Sequence, residues 1–341
     1  MKFKNLLWRY WKMKKVLALL LIGVMILSMF GCGNASKSTT TETAKSSTDE
    51  TTEGTEATGG QLFGYTCMDM TNPFHIAMRD AIQAAVEENG DTLVAIDGQA
   101  NQSKQNDVIE DLITQGIKVL FLNPVDSQSI QPALEACAEA GVKVINVDSA
   151  VADLSLVATY IASNNVTAGK QCGEELVKLY PDGAKICIIE NPLAESVVQR
   201  VQGLEEAIKG TNVEIVGRKS IATMDVVLST AEDLLQANPD VDAFWGLNDD
   251  VSLIIQGAVE SADLTDQIKV FSVDGSPSGK KSVADGGLYA TAAQSPSQIG
   301  LLAVDCAYKL LAGESIESTY SVDTQLVNTD NIADFDTANW N

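Results

Sequence analysis

From about residue 61 to residue 332, short apolar runs alternate with longer amphipathic ones. Thr92 to Ile96 is an apolar run that stops at Asp97. Val108, Ile109, Leu112 and Ile113 then recur at helical spacing until Gly116, and Val119 to Leu122 is the next apolar run. Ile130 to Ala140 reads as a helix capped by Gly141, and Val142 to Val147 as a strand. Further on, Lys185 to Ile189, Val213 to Val216, Ala243 to Trp245 and Ile268 to Val273 read as strands. Ser196 to Ile208, Val226 to Leu235 and Val251 to Val259 read as helices. A pattern that changes from strand to helix period about every 25 residues predicts parallel βαβ units covered by helices on both faces. We expect an α/β fold of two doubly wound parallel-sheet domains, with a first boundary near Ser163. Roughly 270 residues are enough for two medium domains with cores of their own.

The stretch before this alternation has a different character. Lys14-Lys15 precedes a wholly apolar run from Val16 to Phe30, followed by Gly31 and Cys32. The run is short for a spanning helix, which needs roughly 20 residues, and suits an export signal. Ser28-Met29-Phe30-Gly31-Cys32 is an imperfect lipidation box: Gly31 fits, while Met29 and Phe30 depart from the usual residues. Cys32 is therefore the expected lipidation site, against a plain signal or an uncleaved anchor. Met13 is a second possible start. Residues 33 to about 60 lack aromatic and large aliphatic side chains and read as a spacer.

Charge narrows the partners. Of the 23 basic residues six precede Cys32, leaving 17 against 46 acidic ones, a net of about −29. Such a surface repels nucleic acid and anionic lipid. Beyond Cys32 five cysteines remain, Cys67, Cys137, Cys172, Cys187 and Cys306, at spacings that match neither zinc motifs nor a disulfide scaffold. They read as buried thiols. With His75 as the only histidine, a histidine-based metal site is not expected, nor any cofactor.

In open parallel sheets ligands bind beyond the carboxyl ends of the strands. Polar residues fall there repeatedly: Asn72 to His75 after the first strand, Asp148-Ser149, Asn248-Asp249, Asp274 to Pro277, and Gln294 to Pro296. Each could be a helix cap; together they suggest a site.

At these positions the chain resembles the ribose-type periplasmic sugar-binding proteins of ABC importers. The resemblance rests on Thr71-Asn-Pro-Phe74, Asn123-Pro-Val-Asp126, Asn146-Val-Asp148, Ile161-Ala-Ser-Asn164-Asn165, Leu247-Asn248-Asp249, Val273-Asp-Gly275 and Ala293 to Gly300, in order, over residues 62 to about 330. It implies a type I periplasmic-binding-protein fold whose lobes, joined by a three-segment hinge, comprise residues 61–163 with 295–323 and residues 164–294 with 324–341. It implies hinge positions at Ser163, Asn164, Ser295 and Asp323. Phe74 matches a ring that stacks on sugar; Asn72, Asn248 and Gln294 match amides, and Asp148 and Asp274 carboxylates, that hold hydroxyls. Ser149 stands where ribose binders have arginine, His75 and Met224 where they have rings, and Met68 where a small polar residue is usual. A second pocket arginine falls near Val198, with Arg200 two residues on. His75 is either a cap-region residue at the mouth or a ligand partner.

The expected protein is a monomeric, extracytoplasmic, lipid-anchored binder that captures a monosaccharide or sugar-like polyol and hands it to an ABC permease. The rival reading is a ligand-presenting partner of a receptor kinase or chemoreceptor. A phosphate loop at Gly275 to Ser282 fails on spacing, and no Gly-x-Ser-x-Gly elbow occurs, so no enzyme is expected. Asp249-Asp250 reads as capping and solvation, since neighbours on a helix diverge.

Overall fold

The computed structural model describes residues 60–340. The leader, Cys32 and most of the spacer lie outside the described residues. The described residues make up one compact unit. Among the described residues no helix is long and apolar enough to cross a membrane.

Two α/β domains with parallel-sheet cores account for the alternating pattern. In the first, strands β1 (Leu62–Cys67), β2 (Thr92–Asp97), β3 (Val119–Leu122), β4 (Lys143–Val147) and β5 (Thr159–Ser163) pair in the order β2-β1-β3-β4-β5. The second domain repeats this with β6 (Ala184–Glu190), β7 (Val213–Ser220), β8 (Ala243–Gly246), β9 (Lys269–Asp274) and β10 (Ala290–Ala293) in the order β7-β6-β8-β9-β10. Two late strands finish the sheets: β11 (Thr319–Val322) beside β5, and β12 (Gln325–Asn328) antiparallel to β10. The chain therefore passes between the sheets three times: after Ser163, after Ala293 and between Val322 and Gln325. Ser163-Asn164 and Ser295 sit on the first two crossings and Asp323 on the third. Gln171 braces the third, donating to the Thr324 carbonyl (3.0 Å) and accepting from its hydroxyl (3.1 Å).

Helices cover both faces of each sheet. α1 (Pro73–Glu88) starts where the Asn72 side chain accepts from the Phe74 amide and Pro73 supplies a fitting first residue. Its Phe74, Met78, Ile82 and Val86 recur every four residues and are buried. α2 (Gln102–Thr114) and α3 (Gln131–Glu139) cover the other face of the first sheet. α4 (Asn165–Leu179) and α5 (Glu195–Ile208) pack on one face of the second sheet, and α6 (Val227–Ala237), α7 (Asp249–Ser261) and α8 (Pro277–Ala284) serve the other. α9 (Pro296–Leu311) follows β10 of the second sheet yet returns to the first core, with Ile299, Ala303 and Ala307 buried beside Phe63 and Met78. Strands such as β3, Val-Leu-Phe-Leu, are buried throughout, as central parallel strands must be. All five cysteines among the described residues are free and buried.

Candidate functional site

The carboxyl ends of the two sheets face each other across a small gap. Met68, Asn72, Phe74, His75 and Asp148 line it from the first lobe; Asn191, Ser196, Arg200, Leu247, Asn248 and Asp274 are among those lining it from the second. It encloses about 60 Å³. An outer chamber of about 380 Å³, sharing Met68, Asn72, His75 and Asn248 with the gap, opens beside Leu193 and Met224. The lobes touch around this gap. Ser196 N donates to Ser149 Oγ (3.2 Å), and Ser127 N to the Leu193 carbonyl (3.4 Å).

Each lobe aims one carboxylate inward from the end of a strand, by a strained turn. Asp148 follows β4 with φ +63°, and Asp274 ends β9 with φ +131°, both in the region that L-residues avoid. Asn146 fixes the first turn, donating to the Leu122 and Ser149 carbonyls and accepting from Val151 N. Asp148 Oδ2 accepts from Asn123 Nδ2 (2.9 Å), while its buried Oδ1 has no hydrogen-bond partner among the described residues.

The second turn is held by Asp249, which is fully buried. It accepts from Ser272 Oγ (2.6 Å), Thr291 Oγ1 (2.7 Å), and both N and Oγ of Ser276 (2.7 Å each). This corrects the expectation that Asp249-Asp250 is a solvated cap. Adjacent residues do diverge: Asp250 faces the outer chamber, and Asp249 turns into the protein. Gln294, 1% exposed, lies behind Asp274 and donates Nε2 to its Oδ1 (2.7 Å).

A nitrogen-bearing side chain attends each carboxyl group. His75 Nδ1 lies 2.7 Å from the Asp69 carbonyl, which can only accept, and Nε2 lies 3.8 Å from Asp148 Oδ2. Burial opposes protonation of this imidazole, but the Cys67 sulfur and Asp148 outweigh it, and its pKa stands well above the usual 6.5. In the second lobe Arg200 donates Nε to Asn165 Oδ1 (2.9 Å) and Nη1 to the Leu247 carbonyl (2.8 Å), with Nη1 3.8 Å from Asp274 Oδ1. Burial pushes the Asp274 carboxyl well above the usual carboxylate range, against the pull of Arg200.

The expected residues thus separate by position. Asn72, Phe74, His75, Asp148, Asn248 and Asp274 come together on the inner gap; Asn72 and Asn248 also cap α1 and α7 through Oδ1. Met224, 40% exposed, lines only the outer chamber. Ser149 serves the contact between lobes. The pocket guanidinium comes from Arg200 rather than from near Val198, which is 39% exposed. The signal for it was in the sequence: Arg200 shares a helix face with Val197, Val201 and Leu204, all buried. Asn191 and Trp340, whose ring meets Phe74, carried no such signal. Among the described residues no acidic, histidine and cysteine cluster could hold a metal ion.

The periplasmic binding protein domain model matches residues 63–315. The chain is 34% identical over 261 residues to the ribose import binding protein RbsB of Escherichia coli, covering 76% of this chain and 87% of that one. It is 32% identical to RbsB of Bacillus subtilis over 267 residues, covering 77% and 86%. Among solved structures, an ABC transporter solute binding protein from Mycobacterium smegmatis with bound glycerol aligns with TM-score 0.78 and 32% identity, over 83% of this chain and all of that one. The Caulobacter myo-inositol binding protein aligns with TM-score 0.76 and 27% identity, over 80% and 95%.

Proposed function

The chain belongs to the periplasmic binding protein family, and from that premise we propose that it is an extracytoplasmic lipoprotein that captures a monosaccharide or sugar-like polyol and delivers it to an ABC importer. The observation that carries this reading is the meeting of Asp148 and Asp274, one from each lobe, on one desolvated gap. A sugar hydroxyl is both donor and acceptor. Asp148 Oδ1, buried without a hydrogen-bond partner among the described residues, suits its donor side, while Arg200, the His75 ring and the amides of Asn72 and Asn248 can serve its acceptor side. Phe74 offers an apolar ring for a sugar's C–H face. Relatives named for ribose and myo-inositol support a polyhydroxylated ligand.

Capture follows from the placement of these groups. A ligand that bonds to both carboxylates gains its full set of contacts only when the lobes meet. It therefore favours the closed form over an open one reached by rotation about the three crossings. Ser149 leaves the first lobe without the guanidinium that the ribose binders carry there, so the ligand is one with fewer acceptors than ribose, a different ring size or an apolar substituent. Cys32 would tether the binder to the membrane, and the spacer would give the lobes reach toward a permease. The protein acts as a monomer and turns nothing over.

The decisive experiment is a thermal-shift screen of residues 33–341 against pentoses, hexoses and polyols, followed by calorimetry. A ligand that binds only the native form raises Tm by mass action. A panel in which no sugar or polyol moves Tm would overturn the reading. Metabolic labelling with a fatty acid, and its loss in Cys32→Ala, tests the anchor.

A further inference from the structure

The segment after β12 returns to the site from the far lobe. Its strand pairs within the second sheet, and Ile332 packs against the second lobe's core. Lys280 of α8, itself fully buried, then holds the segment by donating Nζ to the Asn339 carbonyl at 2.7 Å. The next residue, Trp340, packs on the first lobe's core instead and meets Phe74 edge to face, with ring centroids 5.7 Å apart and planes at 79°. Phe74 is 3% exposed and lines the gap between the lobes. A segment anchored on one lobe thus ends on the other, against a ring of the candidate site.

We propose that Trp340 is a positioning residue for ligand capture: it fixes the Phe74 ring and, through the segment that carries it, ties that ring to the second lobe and favours the closed cleft. This rests on the reading of the gap as a ligand site. The three covalent crossings permit rotation. A ring contact made across the lobes stabilises only those forms in which both rings meet, so it biases the pre-existing equilibrium that a ligand must shift. Edge-to-face geometry also defines the tilt of Phe74, because a ring edge prefers the face of its neighbour.

The test uses residues 33–341, which hold the whole compact unit and only two tryptophans, Trp245 and Trp340. Small-angle scattering of the ligand-free protein should show a larger radius of gyration for Trp340→Ala than for the wild type, and Trp340→Phe should restore it. Calorimetric titration with D-ribose, D-allose and myo-inositol should show about five- to tenfold weaker binding for Trp340→Ala, again restored by Trp340→Phe. In Trp245→Phe, where Trp340 is the remaining tryptophan, a bound sugar should shift the emission. Should Trp340→Ala fail to fold, Trp340→Leu takes its place. An unchanged radius and affinity in Trp340→Ala would overturn the proposal. If none of these three binds the wild type, the titration uses whichever sugar of the thermal-shift panel raises Tm; a panel with no hit ends the sugar reading, while the scattering comparison still decides the role of Trp340.

Discussion

His75 stands 3.8 Å from Asp148 in the first lobe, Nε2 to Oδ2, and its other ring nitrogen meets the Asp69 carbonyl. The separation equals that of Arg200 from Asp274 in the second lobe. Each half of the site is an aspartate at a strand end with a nitrogen-bearing side chain from a covering helix, imidazole in one lobe and guanidinium in the other.

The two side chains differ in what pH does to them. The His75 pKa is raised above its usual 6.5, so the folded protein holds this proton more tightly than the unfolded chain. Stability from the pair is complete below about pH 6.5 and is lost as pH rises through the raised value. The raised Asp274 acts in the same sense, but its share is complete only below about pH 3.8 and is lost as pH rises from there through its raised value, so the fall on the alkaline side is that of His75. Melting followed by circular dichroism should therefore show Tm falling on the alkaline side. His75→Gln should flatten that fall; an unchanged pH profile would show that the imidazole carries no proton there.

Asp274→Ala should weaken the ligand by at least about 2 kcal/mol, roughly 30-fold, because hydroxyls left unpaired in a desolvated site keep their full desolvation penalty. It also frees Gln294 Nε2 from its acceptor. Calorimetry with whichever sugar raises Tm measures the loss, and equal affinities would move the site elsewhere.

Asp249→Ala should be a stability lesion first. Four donor contacts from Ser272, Thr291 and Ser276 converge on its carboxylate, and each donor would be left buried. A loss on the order of 3 kcal/mol or more is expected from breaking such a network. Urea melts should show it without any ligand present, and a variant as stable as the wild type would contradict this account.

What could be read from the chain follows from how local each signal is. Strand ends are local events, so Asp148, Asn248 and Asp274 stood out by following an apolar run. The burial of Asp249 is not local. Nothing in Asn248-Asp249-Asp250 says which neighbour turns inward, because the donors come from β9, β10 and the start of α8. β7 runs to Ser220 although its apolar run ends at Val216, since Arg218 to Ser220 pair with β6 while their side chains stay largely exposed. β11 and β12 lack long apolar runs because they lie at sheet edges, where one neighbour is enough. Trp340 was out of reach for a further reason: its partner Phe74 is 266 residues away, and only the completed second sheet delivers one to the other.

The position of Arg200 depends on a helix crossing that only glycine permits. A Cβ at Gly169 of α4 would lie 1.7 Å from the Arg200 carbonyl oxygen, and one at Gly203 of α5 would lie 1.9 Å from that of Val166. The two backbones meet at reciprocal glycines, and the atoms in the way are backbone, which cannot step aside like a flexible side chain. Gly169→Ala must therefore push α5 outward. Overpacking typically costs about 1–3 kcal/mol, and a backbone neighbour puts this case at the upper end. The same displacement would draw the guanidinium off Asn165, Leu247 and Asp274, so the variant should lose ligand affinity although residue 169 does not line the gap. Alanine at Gly257, which has open space around it inside α7, should leave affinity unchanged and melting the same or somewhat higher, and serves as the control. Melting curves and calorimetry on the two variants check this together, and a Gly169→Ala protein that melts and binds like Gly257→Ala would mean that the crossing does not position the arginine.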